Sequence, residues 1–134
     1  MVSACLLGHK CKYNGGDNFS EKVAMFVKDH EVIPVCPEIE GGLSVPRNPC
    51  EIVNGKVIDN QGNSVDEAFR RGAAICVKQA IQAKVDLAIL QPRSPSCGVN
   101  QIYDGSFTGR LIPGRGVFAK MLIENGINVL DDIK

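Results

Sequence analysis

The stretch that decides the fold is Leu87-Ala88-Ile89-Leu90, followed closely by Ser94-Pro95-Ser96-Cys97-Gly98. The first four residues are the most hydrophobic strand-like run in the chain, and the next five are rich in the residues that form tight turns. A cysteine on a turn at the end of a buried strand lies where α/β proteins keep their chemistry.

Two other cysteines occupy the same kind of position. Cys5 ends the apolar opening of the chain, which reads as a strand from Val2, and Cys36 ends a second strand that begins at Val32. Pro34 within this second strand favours an edge position or a bulge. In a parallel sheet the carboxyl ends of the strands meet at one edge, so we expect Cys5, Cys36 and Cys97 in one crevice.

Helices and a hairpin separate these strands. Ser20 is a candidate N-cap for a helix that ends near Asp29 or His30. Asn54-Gly55 between two apolar runs predicts a hairpin with a type I′ turn. The predicted elements that remain are a capping box at 64–67 opening the longest helix, a third strand at 86–91, a helix at 117–124 and a last strand at 127–130. Residues 36–50 and 101–116 are rich in Pro or Gly, so we expect them to be mostly irregular.

This order of elements predicts an α/β fold. We expect a mainly parallel sheet of about four strands flanked by helices, a Rossmann-like three-layer sandwich, with a small β-hairpin insertion. A length of 134 residues predicts a single domain, 1–134. Cys76 falls on the inner face of the longest helix, where it is expected to be a core residue.

The composition excludes several classes of protein. Fifteen basic and fifteen acidic residues leave no net charge, which argues against a nucleic acid polymer as the main partner. No apolar run approaches the roughly 20 residues of a membrane span. No secretory signal is visible at the N-terminus, so we expect a cytoplasmic protein whose thiols stay reduced.

Six cysteines in a reduced chain require an explanation other than disulfides. The spacing from Cys5 to Cys11 is too wide for a zinc knuckle, and His9 and His30 are isolated. Scattered thiolates that converge in space suit an iron–sulfur cluster better, although buried cysteines often serve only as small hydrophobic residues. No C-x-x-C motif supports a thiol-based redox protein.

Three thiolates on a [4Fe–4S] cluster leave one iron not ligated by protein, and an open iron is a Lewis acid. Glu38, two residues after Cys36, would be near that iron as a general acid or base; the alternative is a carboxylate that is solvated or paired with Arg47. Ser94 and Ser96 beside Cys97 could bind a substrate or relay a proton, and the alternative for both is turn formation.

Four blocks of residues resemble a known family. They are Ser3-Ala4-Cys5-Leu6-Leu7-Gly8 with Tyr13-Asn14-Gly15; Val35-Cys36-Pro37-Glu38 with Gly41-Gly42-Leu43 and Pro46-Arg47; Ser94-Pro95-Ser96-Cys97-Gly98; and Ile102-Tyr103-Asp104-Gly105-Ser106-Phe107-Thr108-Gly109. Together they resemble the DUF523 family, which includes the thiouracil desulfurases. The resemblance extends over nearly the whole chain.

The resemblance implies an oxygen-sensitive [4Fe–4S] cluster on Cys5, Cys36 and Cys97. It implies removal of sulfur from a small thiolated substrate, with C=S replaced by C=O and no net redox change. By motif, the assisting glutamate and serine fall on Glu38 and Ser94.

We expect Ser96, Asn14 and Tyr103 to contact the substrate. Asn14 stands where the family more often has Asp, which would alter those contacts. The competing interpretation is a non-catalytic cluster-binding sensor or sulfur carrier. The sequence specifies neither the substrate nor the oligomeric state.

Overall fold

The computed structural model describes residues 1–131 and builds them around a parallel sheet. The elements in chain order are β1 (Val2–Ser3), a 3-10 turn (Ala4–Leu7), α1 (Glu21–Phe26), β2 (Pro34–Val35), α2 (Pro37–Glu40), β3 (Cys50–Val53), β4 (Lys56–Asp59), α3 (Asp66–Gln82), β5 (Leu87–Ile89), β6 (Gln101–Tyr103), β7 (Leu111–Pro113), α4 (Val117–Glu124) and β8 (Asn128–Leu130). The predicted domain, 1–134, extends three residues beyond this described part and stays a prediction.

The main sheet has the strand order β2-β1-β5-β8, and every pair in it is parallel. Val2 of β1 is paired with Pro34 on one side and with Ile89 on the other. This confirms the predicted α/β fold. Because β2 is an edge strand, it tolerates proline: the N–H group that Pro34 lacks is not needed by a second partner strand.

The two faces of the sheet bury different helices. Ala88 and Leu90 belong to the larger core, which includes the inner faces of α3 and α4. Val2 and Ile89 belong to a smaller cluster with Val23 of α1. Neighbouring strand residues point to opposite faces, so the sheet forms the middle of three layers.

Two glycines allow α2 to lie directly on α3. A Cβ at Gly41 would clash with the carbonyl oxygen of Ala68, and a Cβ at Gly72 would clash with that of Pro37. Close backbone approach therefore fixes α2, the element that carries Glu38, against the longest helix.

The predicted hairpin is confirmed as the pair β3–β4, which is not part of the main sheet. Asn54 and Gly55 both have positive φ, 50° and 80°, as a type I′ turn requires. The pairing runs from Cys50 opposite Asp59 to Val53 opposite Lys56.

Two segments are mostly irregular, as predicted, but each also contains a short regular element. Residues 37–40 form a helical turn, which Pro37 favours because its fixed φ suits the first helical position. Residues 101–113 contain the antiparallel pair β6–β7, in which Ile102 is buried. This glycine-rich segment thus contains a short antiparallel pair that composition alone does not predict.

The expected capping box is also wrong. Helix α3 begins at Asp66, after an N-cap residue, Val65, that makes no side-chain capping bond. Ser64 instead forms an isolated bridge with Ile58, and Asp66 Oδ1 accepts a hydrogen bond from Val57 N at 3.0 Å. Contacts with the hairpin have replaced the local cap.

Strand β1 is shorter than predicted, so Cys5 lies on the 3-10 turn that follows it rather than on the strand itself. Helix α1 ends at Phe26, a few residues before the predicted end. Within residues 1–131, no helix combines the length and the apolar character that a membrane crossing requires.

Candidate active site

A cavity of about 510 Å³ opens at the carboxyl ends of β1, β2 and β5. Its wall contains five of the six cysteines: Cys5, Cys11, Cys36, Cys50 and Cys97. The sixth, Cys76, is fully buried in the core on α3, as predicted. Parallel strand direction brings Cys5, Cys36 and Cys97 to this edge from widely separated parts of the chain.

Three of these thiols form a connected group. Cys36 Sγ lies 3.9 Å from the carbonyl oxygen of Cys11, and Cys11 also affects the ionisation of Cys5. Its hydrogen bond lowers the pKa of Cys5 to about 7, against the effect of burial, and the Asn18 side chain acts in the same direction. The same contacts, with Cys36 and then Cys5, raise the pKa of Cys11. Cys5 therefore carries the negative charge more readily than its neighbour.

The remaining thiols are held neutral by burial. Burial raises the pKa of Cys97, and the nearby charge of Glu38 adds to this effect. Burial also raises the pKa of Cys50 to about 11 and that of Cys76 to about 12. A metal ligand must be a thiolate, so binding at Cys97 would release a proton.

Glu38 reaches the cavity from the first turn of α2. Its Oε2 atom lies 3.4 Å from Cys36 Sγ and 3.6 Å from Arg47 Nη2. Both charged side chains are largely buried, with exposed fractions of 13% for Glu38 and 11% for Arg47. The carboxylate thus lines the cavity. It is also paired with Arg47, which was the alternative interpretation of Glu38.

Arg47 joins two segments of the wall. Its Nη2 donates to the carbonyl oxygen of Cys11 at 2.9 Å, and its Nη1 donates to that of Ser44 at 3.2 Å. Its backbone N–H donates to Tyr13 O at 2.7 Å. The guanidinium therefore holds the first loop against the proline-rich segment that contains Arg47.

The turn at 94–98 is organised by the Ser94 hydroxyl. Ser94 Oγ accepts hydrogen bonds from Ser96 N at 3.1 Å and Cys97 N at 3.0 Å. Ser94 therefore has the turn-forming role that was the alternative interpretation of this residue. It also lines the cavity. Accepting two bonds leaves the hydroxyl proton available for a ligand.

Two of the predicted substrate contacts lie away from the cavity wall. Ser96 is fully buried, with its Oγ lacking a partner among residues 1–131, and its carbonyl oxygen accepts from Phe118 N at the start of α4. Asn14 is exposed, and its Oδ1 accepts from Gly16 N at 2.9 Å. Tyr103 lines the cavity, so the structure gives this residue the position that a substrate contact needs.

Lys12, Gln91 and Arg93 of the cavity wall escaped the sequence analysis, which considered Arg47 only as a possible partner of Glu38. Lys12, Arg47 and Arg93 bring positive charge to a cavity whose thiolates and carboxylate would be negative. Gln91 also lines the wall; its backbone N–H donates to Ser3 Oγ at 3.0 Å, and its Oε1 is buried without a partner in the described part of the chain. For Gln91 and Arg93, the only signal in the sequence is their position directly after a buried strand.

The donor set suits a cluster of several metal ions. Within residues 1–131, no three His, Cys, Asp or Glu side chains are arranged to hold one metal ion. In an iron–sulfur cluster each cysteine binds a different iron, so the thiols must face a common space rather than a common point. Cys5, Cys36 and Cys97 meet that requirement because all three face one cavity.

The fold and this wall define an α/β protein with a thiol-lined cavity at the carboxyl edge of a parallel sheet. A family model described as 2-thiouracil desulfurase matches residues 1–133. The chain belongs to the 2-thiouracil desulfurase family, which confirms the resemblance found in its four sequence blocks.

One relative and one solved structure illustrate the relationship. The uncharacterized protein YbbK of Bacillus subtilis (strain 168) is 37% identical over 142 residues, covering 98% of this chain and 94% of YbbK. The structure of TudS (DUF523Vcz), a [4Fe-4S]-dependent thiouracil desulfidase, superposes with a TM-score of 0.91 at 34% identity. That match covers 98% of this chain and 88% of TudS.

Proposed function

We propose that this chain is an iron–sulfur-dependent desulfurase that acts on a thiolated nucleobase or a similar small thio-compound. The observation that carries the proposal is the meeting of Cys5, Cys36 and Cys97 with Glu38 around one cavity. The likeness to TudS, a [4Fe-4S]-dependent enzyme, supports the same assignment. In this proposal Cys5, Cys36 and Cys97 hold a [4Fe–4S] cluster that has one iron without a protein ligand.

The cluster, when bound, would supply a Lewis acid with affinity for the sulfur of the substrate. Glu38 takes a proton from water as the water oxygen bonds to the carbon that carries sulfur. The carbon–sulfur bond then breaks as Glu38 returns that proton to the departing sulfur, and the remaining hydroxyl proton leaves the added oxygen, which becomes C=O, and completes hydrogen sulfide. The overall change, C=S and water to C=O and hydrogen sulfide, balances without an oxidant or a reductant.

The other wall residues hold and orient the reacting groups. Arg47, 3.6 Å from Glu38, keeps the carboxylate directed toward the cavity. The Ser94 hydroxyl donates its free proton to the substrate or relays one to it. Tyr103 lines the cavity and contacts the body of the substrate.

The test is anaerobic reconstitution with iron and sulfide, followed by incubation with a panel of thiolated nucleobases in ¹⁸O-labelled water. We expect sulfide release, with one labelled oxygen in each product molecule. A cluster-binding protein that releases no sulfide from any member of the panel would be a sensor or carrier. The matched control is Cys50→Ala, which alters a wall cysteine outside the proposed ligand set and should retain both iron and activity.

A further inference from the structure

Glu51 is a buried carboxylate on the cavity wall that the proposed reaction does not use. The residue belongs to β3, and its exposed fraction is 9%. Within residues 1–131, no lysine, arginine or histidine side chain pairs with it. A buried charge without a salt bridge must be satisfied by hydrogen bonds, so the partners of Glu51 indicate what it does.

Those partners are backbone groups of residues 104–110, the segment that joins β6 to β7 and is called the β6–β7 loop below. Glu51 Oε1 accepts hydrogen bonds from Gly105 N at 3.0 Å and from Phe107 N at 3.1 Å. The loop lies so close to β3 that a Cβ at Gly105 would be 2.7 Å from the carbonyl oxygen of Ile52. Phe107 has a φ of 59°, which residues other than glycine seldom adopt, so the carboxylate stabilises a backbone shape that local preference disfavours.

The same loop connects two residues of the cavity wall. Tyr103 precedes it at the end of β6, Gly109 lies near its other end, and both line the cavity. Strands β6 and β7 form a separate two-stranded sheet, which has little stability of its own. Contacts outside the pair must therefore place Tyr103. The isolated bridge of Ile102 comes before it in the chain, and the bonds of the loop to Glu51 come after it.

We propose that Glu51 is a positioning residue that fixes Tyr103 on the cavity wall through the β6–β7 loop and thereby sets the affinity for the substrate. Only the last step, the contact of Tyr103 with the substrate, rests on the proposed function. Glu51 transfers no proton in this role. It needs one oxygen atom that accepts from two N–H groups, so the position of that oxygen matters more than its charge.

Three substitutions of Glu51 separate position from charge. Glu51→Gln keeps an acceptor oxygen at the same distance without the charge, Glu51→Asp keeps the charge on a side chain one methylene shorter, and Glu51→Leu keeps neither. Hydrogen exchange at Gly105 N and Phe107 N is measured on the full chain after anaerobic reconstitution. Exchange should be about tenfold or more faster in Glu51→Leu and Glu51→Asp, and within about threefold of the unmodified rate in Glu51→Gln.

Glu67→Leu is the matched control for these variants. It makes the same chemical change at a carboxylate of α3 whose side chain is 95% exposed, and it should leave exchange in the β6–β7 loop unchanged. Circular dichroism on each variant identifies any failure to fold. If Glu51→Leu does not fold, the contrast between Glu51→Asp and Glu51→Gln decides the outcome.

Tyrosine fluorescence reports on Tyr103 itself. The chain contains two tyrosines and no tryptophan, so Tyr103 is the only strong emitter once Tyr13→Phe is introduced. The measurement uses the full chain before reconstitution. Quenching of Tyr103 by acrylamide should increase about twofold or more when Glu51→Leu is added, because the residue moves away from the wall, and Glu51→Gln should restore the original value.

Substrate kinetics test the last step of the proposal. For a thiolated nucleobase that the chain converts, Glu51→Leu should raise KM about tenfold with kcat changed by less than about threefold, and it should cause no further rise in a Tyr103→Ala chain. Three results would overturn the proposal: faster loop exchange with unchanged Tyr103 quenching, a Glu51→Gln chain that behaves as Glu51→Leu does, or fully additive effects of Glu51→Leu and Tyr103→Ala on KM. If the unmodified chain converts no thiolated base, the proposed function fails, whereas exchange and quenching still decide the role of Glu51.

Discussion

Two walls of the cavity are held in different ways. The turn wall, residues 94–98, is fixed by backbone groups of neighbouring elements: Gly116 N donates to Gly98 O at 2.8 Å, and Val117 N donates to Pro95 O at 2.9 Å. Nearby, Asp131 Oδ2 accepts from Val99 N at 2.6 Å. The turn wall is therefore tied to both the helix α4 and the end of β8.

The loop wall is formed by residues 11–13 and by Arg47, to which residues 44–46 lead. A backbone bond from Arg47 N to Tyr13 O and the Arg47 side chain join its two segments. Arg47 bonds the carbonyl oxygens of Cys11 and Ser44 and pairs with Glu38. Around it the backbone is largely irregular. This difference predicts that the turn wall contributes to global stability, whereas the loop wall adjusts to what enters the cavity.

The largest expected effect is loss of the proposed cluster on changing the turn wall. Cys97→Ala removes a proposed ligand that no other residue of the turn can replace, so iron per chain after anaerobic reconstitution should fall to the background level, with no measurable turnover. Cys50→Ala should retain iron. If Cys97→Ala keeps the full complement of iron, Cys97 is not a ligand, and Cys11 becomes the next candidate.

The next largest effect concerns the group that the loop wall holds. Glu38→Gln keeps the shape of the side chain and can still accept from Arg47, but it cannot transfer a proton. Turnover should fall roughly 10²-fold or more, the usual scale for general acid–base catalysis, with iron content and substrate affinity unchanged. Steady-state kinetics alongside equilibrium binding of the substrate would measure this. Turnover close to that of the unmodified chain would contradict the role and direct attention to Glu40.

The third prediction compares the same substitution on the two walls. Ser94→Ala leaves the backbone N–H groups of Ser96 and Cys97 without their acceptor and should reduce the free energy of unfolding by about 1 kcal/mol, as for loss of a helix cap. Ser44→Ala removes an exposed hydroxyl bonded to Pro46 O and should change it by less than about 0.5 kcal/mol. Urea unfolding measures both, and equal losses would show that the two walls are held alike.

The sequence was sufficient to predict the fold because its strongest signals are local. Each signal is contained in a few consecutive residues. The signals are the apolar run at 87–90, the Asn54-Gly55 turn and the strand ends near Cys5, Cys36 and Cys97. Parallel strands then place the three cysteines together without further information. The capping box at 64–67 failed because long-range contacts of Asp66 with the hairpin replaced a local hydrogen bond.

The site was harder to predict because its details depend on residues far apart in the chain. Nothing near Arg47 indicates that its side chain bonds the carbonyl oxygen of Cys11, 36 positions away. Ser96 and Ser94 are equivalent in the sequence, yet the turn buries the first and leaves the second on the cavity wall. Such distinctions arise from the direction of each side chain, which composition and spacing do not specify.

The most local expected effect is that of the side chain which holds the loop wall. Arg47→Met keeps most of the apolar stem but removes the bonds to Cys11 O and Ser44 O and the pairing with Glu38. Water in the open cavity replaces the lost partner of the largely buried Glu38 only in part, so the free energy of unfolding should fall by about 1–3 kcal/mol. Hydrogen exchange at residues 11–16 should become faster, because local opening of the loop no longer breaks these bonds.

Arg70→Met is the matched control for this change. Arg70 pairs with Asp66 at 2.8 Å on an exposed part of α3, and its loss should alter the free energy of unfolding by less than about 1 kcal/mol. Only Arg47→Met should speed exchange in the loop wall while leaving the turn wall protected. If exchange at residues 96–99 accelerates equally in Arg47→Met, the two walls open together, and the loop wall does not adjust independently of the turn that carries Cys97.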